Sequence, residues 1–296
     1  KTFYFNKYYK LANILSLVLI IISVIFLIFK GLNFGVDFKG GTLIELRVHD
    51  KNISISNVRD SFNSLNLNGV NVKKFGNQTD YIIKFQNTDV KNPDFVNEIK
   101  KNLQNSSGYD FSFRRVENVG PKVSSELLKS GIIAIALSLF AMLFYIWVRF
   151  EWQFSIGAIM ALFHDVIVTL GIFSIFSLEI NLSIVAAVLT IVGYSMNDTV
   201  VIYDRVRDNL KKYSNIQIFE LTNISINETL SRTIITSITT LLALVSIYVF
   251  GGEILKGFSF AMILGVFFGT YSSIYIACPL LVSLNVTQKT VLKDKD

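Results

Sequence analysis

The stretch LANILSLVLIIISVIFLIF, residues 11–29, decides the architecture. Its nineteen residues carry no charge. At about 1.5 Å of rise per residue they cross a hydrocarbon core of about 30 Å as a single helix. Lys1, Lys7 and Lys10 precede the run in the manner of a signal peptide, but no small-residue cleavage site closes it. An uncleaved first membrane helix is therefore expected. No initiator Met is present, so the chain is expected to start after the true N-terminus.

Five further runs have the length and apolarity of membrane spans, at about 130–148, 154–176, 182–203, 233–250 and 257–284. Pro279 is expected to end or kink the last. The whole chain agrees, since 51% of its 296 residues are hydrophobic and mean hydropathy is +0.49, well above soluble domains. Charge makes up 17% and concentrates in residues 31–129. The division expected is a cytoplasmic tail and first helix (1–30), an inserted domain (31–128), a five-helix bundle (129–284) and a cytoplasmic tail (285–296).

Orientation follows from the short loops. Lys1, Lys7, Lys10, Arg149, Arg205, Arg207, Lys211, Lys212, Arg232, Lys289, Lys293 and Lys295 fall on one side, and Lys256 alone on the other. The positive-inside rule then puts both termini in the cytoplasm and the inserted domain outside. The net charge of +6 is accounted for by these loops, and no basic run with interleaved aromatics suggests nucleic acid. Cys278 is the one cysteine, which excludes an internal disulfide and a Cys/His metal cluster.

Within the inserted domain, residues 42–48 alternate as a strand and 54–65 space Val58, Phe62 and Leu65 as a helix. Residues 70–75 and 81–85 read as strands joined by a turn at Gly76-Asn77. A second helix follows at 93–103, with Pro93 in its first turn, and a last strand at 109–116. The order βαββαβ predicts an α+β ferredoxin-like domain on the extracytoplasmic side of a six-helix α-helical membrane bundle.

Ionisable groups inside membrane spans cost about 2.5–3.5 kcal/mol each on insertion scales, so they mark candidate sites. Asp198 lies deep in the fourth span, with Tyr194 and Ser195 on its helix face. Removal from water favours a carboxyl group's neutral form, and a nearby cation reverses that preference. Asp198 thus reads as a proton-relay acid or as a hydrogen-bonding clamp between helices. Arg232 heads a hydroxyl stripe of Thr229, Thr233, Thr236, Ser237 and Thr240. It could pair with Asp198 or with Glu228, or snorkel to the interface. His164 and Asp165 lie in the third span, about 100° apart on a helix, so they are not expected to face one partner. They read either as relay groups or as a structural hydrogen bond. Asp204, Arg205, Arg207 and Asp208 read as a solvated, salt-bridged helix end. Gly265 and Gly269 have the spacing of close helix approach. No P-loop, nucleophile elbow or HExxH motif is present, so neither ATP hydrolysis nor another enzymatic activity is expected, and no cofactor.

Several motifs resemble one family. GVDFKGGT (35–42), VGPKV (119–123) and VGYSMNDTVVIYDRVR (192–207) are similar to the SecD/SecF signatures, with His164-Asp165 and Ser231-Arg232-Thr233 in the expected order. The resemblance covers nearly the whole chain. It implies protein export across the bacterial inner membrane by an RND-superfamily subunit that uses the proton motive force. It also implies SecD, the SecYEG channel, a further small subunit, preprotein and membrane lipid as partners. In the family the counterpart of Asp198 is an intramembrane acid needed for proton conduction, and the counterpart of Arg232 is also essential; in this chain His164, Asp165 and Asn197 are the weaker relay candidates. The alternatives are a small-molecule RND-type exporter, which would need a second, larger external domain in the same chain, and a scaffold, which would need no intramembrane charges.

Overall fold

The structure, a computed structural model, describes residues 2–49, 54–65, 67–74, 79–86, 95–107, 111–213 and 216–292. The Gly76-Asn77 turn, Pro93, Lys293 and Lys295 lie outside the described residues. The longer elements in chain order are α1 (Tyr9–Phe29), β1 (Gly41–Val48), α2 (Ile55–Asn63), β2 (Asn68–Lys74), β3 (Asp80–Gln86), α3 (Phe95–Ser107) and β4 (Phe111–Val119). Then come α4 (Pro121–Arg149), α5 (Trp152–Ile175), α6 (Leu182–Lys212), α7 (Ile218–Phe250) and α8 (Gly252–Ser272). The chain divides into two compact units, Lys1–Asn33 with Ile133–Asp296, and Phe34–Ile132.

The first unit contains helices long and apolar enough to cross a membrane, six among the described residues when α4 is counted. They differ in how much they bury. The most apolar windows of α5, α6 and the α8 region are 61%, 50% and 56% buried, against 17%, 11% and 17% for α1, α4 and α7. So α5, α6 and α8 form the centre, while α1, α4 and α7 present Ile14, Phe140, Trp147, Leu242 and other apolar side chains outward. The central core packs Phe154, Ala158, Leu162, Val192, Met196, Tyr203, Ala277 and Leu281.

Small residues bring the central helices together. A Cβ on Gly265 would collide with Ile191, and one on Gly269 would lie 3.1 Å from Ser195 Cα. The GxxxG spacing on α8 thus lets it lie against α6 with little between the backbones.

Pro279 does not end the last helix. A π-helical turn, Ser273–Ala277, follows α8 and leads into a further helical stretch, Cys278–Ser283. A π turn is a common place for a helix to absorb a local irregularity, and the proline, which has no N–H to give, follows directly.

Two helices run well beyond the apolar segments that announced them. Helix α6 continues to Lys212 through Asp204, Arg205, Arg207 and Asp208, while α7 begins at Ile218, ahead of the apolar run at 233–250. Hydropathy records where side chains suit lipid, but helical hydrogen bonding continues into polar surroundings. The first half of α7 buries Leu221, Thr222, Asn223, Ser225 and Ile226, and Asn223 and Asn227 bind the backbone of Phe5 and Phe3.

The second unit has its helices and strands in the order βαββαβ. Its sheet order is β2-β3-β1-β4 with every neighbour antiparallel. Helix α2 is capped by Ser54, whose hydroxyl accepts from the Asn57 N–H at 3.3 Å. Val58 and Phe62 of α2 and Ile99 and Leu103 of α3 pack with Ile44, Leu46, Val72, Tyr81, Ile83, Phe85 and Phe111 from the sheet. Strand β1 opens on Gly40 and Gly41, at φ 78° and 137°. Only glycine takes such angles without strain, and a Cβ on Gly41 would also lie 2.6 Å from the carbonyl oxygen of Phe85. Arg47 grips Asp80 through two bonds, Nε to Oδ1 at 2.6 Å and a terminal nitrogen to Oδ2 at 2.8 Å. The Arg47 guanidinium holds the Asp80 carboxyl below the usual carboxylate range.

Candidate functional site

The three central helices bring their polar side chains together. On α5, His164 and Asp165 are both completely buried. They hydrogen-bond to each other, Nδ1 to Oδ1 at 2.9 Å. Neighbours about 100° apart do not face one distant partner, but their side chains can turn toward each other, and Asp165 alone reaches the neighbouring helices. The second Asp165 oxygen accepts from Ser195 Oγ of α6 at 2.6 Å and from Ser272 Oγ of α8 at 2.7 Å. Asp165 therefore joins all three central helices. His164 Nε2 meets no polar partner among the described residues, and its ring lies beside those of Phe268 and Tyr271.

Asp198 on α6 is also buried, at 3% exposure. Its Oδ2 accepts from Thr270 Oγ1 of α8 at 3.1 Å. Thr270 is in turn 2.8 Å from Ser237 Oγ of α7. Thr199, the next residue on α6, shares a 2.8 Å hydrogen bond with Ser273. The polar seam thus runs along the line where α6 meets α8.

Arg232 is near enough to act electrostatically on Asp198. It makes no ion pair within 4.0 Å with any carboxylate among the described residues. Glu228, the other expected partner, is taken by Arg205 Nε at 2.7 Å and Asn209 Nδ2 at 2.6 Å. Spacing of one turn on α7 favours Glu228 with Arg232, but the C-terminal end of α6 packs alongside and supplies closer donors. Arg232 is exposed and instead lines a cleft of about 650 Å³ between α4, α6 and α7, with Tyr145, Gly193, Asn197 and Asp204. Asn197 is exposed there and does not join the Asp198 cluster.

The hydroxyl stripe on α7 divides. Thr229 and Thr236 return their hydroxyls to the backbone of their own helix, to Ser225 O and Arg232 O at 3.0 Å each. Ser237 reaches across to α8. The helix end after Asp198 carries Arg149–Asp204 at 2.8 Å and Arg207–Glu151 at 3.1 Å. Among the described residues, no group of three or more His, Cys, Asp or Glu could hold a metal ion.

Thr270, Ser272 and Ser273 were not singled out from sequence. They carry no charge and lie inside an apolar run, where a hydroxyl ordinarily bonds its own helix. The available signal was their clustering beside Gly269, the point of closest approach to α6.

Six helices long and apolar enough to cross a membrane, counted among the described residues, define a multi-pass membrane protein with buried acids at its central helix contact. The family described as protein export membrane protein SecD/SecF, C-terminal, matches residues 98–287, and the SecD/SecF GG motif matches residues 25–51. Protein translocase subunit SecF of Rickettsia bellii (strain OSU 85-389) is 45% identical over 280 residues, covering 94% of this chain and 92% of its own. The SecF of Rickettsia prowazekii (strain Madrid E) is 44% identical over 280 residues, covering 94% and 90%. The crystal structure of SecDF, a translocon-associated membrane protein from Thermus thermophilus, matches with TM-score 0.85 at 32% identity. The match covers 96% of this chain and 39% of that one. SecDF in a super-membrane-facing form matches with TM-score 0.71 at the same identity and coverage. The chain belongs to the SecD/SecF family of protein-export membrane proteins.

Proposed function

We propose that this chain is the six-span subunit of the Sec export machinery that works with SecD to draw on the proton motive force during late steps of preprotein translocation. The relatives it matches over nearly their full length are translocase subunits, which favours this reading over small-molecule export. In it the chain sits in the bacterial inner membrane with both termini cytoplasmic. It meets SecD and the SecYEG channel, and a further small subunit completes the assembly. The 31–128 segment is an extracytoplasmic, ferredoxin-like domain that handles emerging preprotein.

Asp198 carries the exchanging proton in this reading, and Arg232 modulates it from the adjoining cleft. His164 and Asp165 are the second candidates, and Asn197 lines the approach. One observation carries the assignment: a buried carboxyl with a hydroxyl donor and no counter-ion within 4.0 Å among the described residues. Such a group can exist charged or neutral, because hydroxyls support either form and no fixed cation locks it. Gain or loss of the proton changes which of Asp198, Thr270 and Ser237 donates. That repacks α6 against α7 and α8 to the extent that the two packings differ in proton affinity. The experiment is Asp198→Asn in inverted vesicles containing SecD. Loss of proton flux and of proton-driven export is expected, and wild-type flux would remove the mechanism.

A further inference from the structure

The two buried acids are held by one turn of one helix. Thr270 donates to Asp198 at 3.1 Å and Ser272, two residues on, donates to Asp165 at 2.7 Å. The same turn is fastened to α6 at either side, by the close approach of Gly269 to Ser195 and by the Ser273–Thr199 bond at 2.8 Å. Ser195 itself donates to Asp165 at 2.6 Å from a position one turn before Asp198. Directly after Ser272 the helix leaves α-helical hydrogen bonding for the π turn Ser273–Ala277. Single π turns of this kind recur at functional sites.

We infer that Asp165 is a positioning residue for Asp198, acting through the 270–273 turn of α8. Its hold on Ser272 sets where the Thr270 hydroxyl stands against the Asp198 carboxyl. The inference rests on the proton-carrying reading of Asp198. Asp165 is suited to the part because both of its oxygens are engaged, one by His164 and one by two serines from different helices. Small displacements of a carboxyl so held are transmitted, since packed interiors do not yield continuously. The charged and titratable groups around the pair are His164 on α5, Tyr271 on α8 and Arg232 on α7. From α1 the seam meets hydroxyls, Ser16 bonding Tyr271 at 3.0 Å.

The test uses the full chain reconstituted with its SecD partner in proteoliposomes, with proton flux measured across a range of pH. Ser272→Ala and Asp165→Asn are each expected to displace the midpoint of the profile by about half a unit, a roughly threefold change in proton affinity. Thr270→Val removes the route itself, so adding Asp165→Asn to it should displace the midpoint no further. Thermal unfolding of each variant separates this from loss of structure, because a merely structural role lowers stability and leaves the midpoint in place. Wild-type midpoints in Ser272→Ala and Asp165→Asn, alongside loss of flux in Asp198→Asn, would overturn the inference and spare the proton reading. Additive shifts in the Thr270→Val background would overturn it too. If Asp198→Asn conducts like wild type, the proton reading fails and the inference goes with it.

Discussion

Asp80 in the inserted domain and Asp198 in the helical bundle are buried to the same extent, 3% exposed each. Their partners could hardly differ more. Asp80 receives a two-pronged guanidinium from Arg47 with Arg114 beside it at 3.5 Å. Asp198 receives a neutral hydroxyl, from Thr270. A carboxylate clamped by a cation stays ionised and serves the fold, whereas one supplied by neutral donors can change state and serve a cycle. Burial alone says nothing about which of these a buried acid does; the charge of its nearest donor decides.

The most severe break of this contrast is Asp198→Asn. Proton flux should fall to the level of vesicles without the protein, while far-ultraviolet circular dichroism and yield stay unchanged. The amide keeps the shape and can still bond Thr270, so the bundle survives while the exchangeable proton does not.

Arg47→Ala probes the other acid. It leaves Asp80 with the long contact to Arg114, and the domain should be measurably less stable. Solvent moderates the loss, because the Arg47 side chain is 32% exposed. Limited proteolysis of the full chain in detergent, with cleavage in the 40–119 region followed over time, would report the loss. Proton flux, which the proposed role assigns to Asp198, should be untouched at conditions where the domain remains folded.

The pH dependence sharpens the comparison further. The Asp80 value is depressed from 3.8 on folding, so the unfolded state takes up a proton first. Its contribution is therefore complete above the ordinary carboxylate value and is lost as pH falls through the lower folded value. Domain stability should decline below about pH 4 in wild type, and this part of the decline should be smaller in Arg47→Ala. An equal decline in both proteins would show that the pair is not the source.

The smallest effect is expected at Arg149→Ala. Its pair with Asp204 is 41% exposed on both sides, and exposed pairs contribute roughly 0–0.5 kcal/mol. A thermal midpoint within about 1 °C of wild type is expected. A large drop would mean that the charge at this helix end is structural in a way exposure does not capture.

How much could be read in the residues themselves varies by feature. The helices announced themselves, because an uncharged run such as 11–29 has few other stable places to be. Their polar extensions did not, as α7 shows, since the segment from Ile218 to Thr229 has the composition of a loop and becomes helical by packing against α6 and the N-terminal tail. Asp198 and Asp165 stood out as charges in apolar surroundings. Their donors stayed hidden. Arg232 was the natural partner for either Glu228 or Asp198, and it binds neither within 4.0 Å among the described residues, since Arg205 and Asn209 reach Glu228 first.

By itself the sequence determined the number of long apolar helices, the place of the inserted domain and which acids are expensive enough to need a purpose. All of these follow from the cost of putting charge or an unpaired backbone in hydrocarbon, which is a property of each segment alone. Only the tertiary structure decided which donor each acid receives. A hydroxyl on a helix can bond its own backbone or a neighbour at similar cost, and the choice depends on how closely a second helix approaches. Here Gly265 and Gly269 allow α8 to reach α6, so Thr270 and Ser272 turn outward to Asp198 and Asp165.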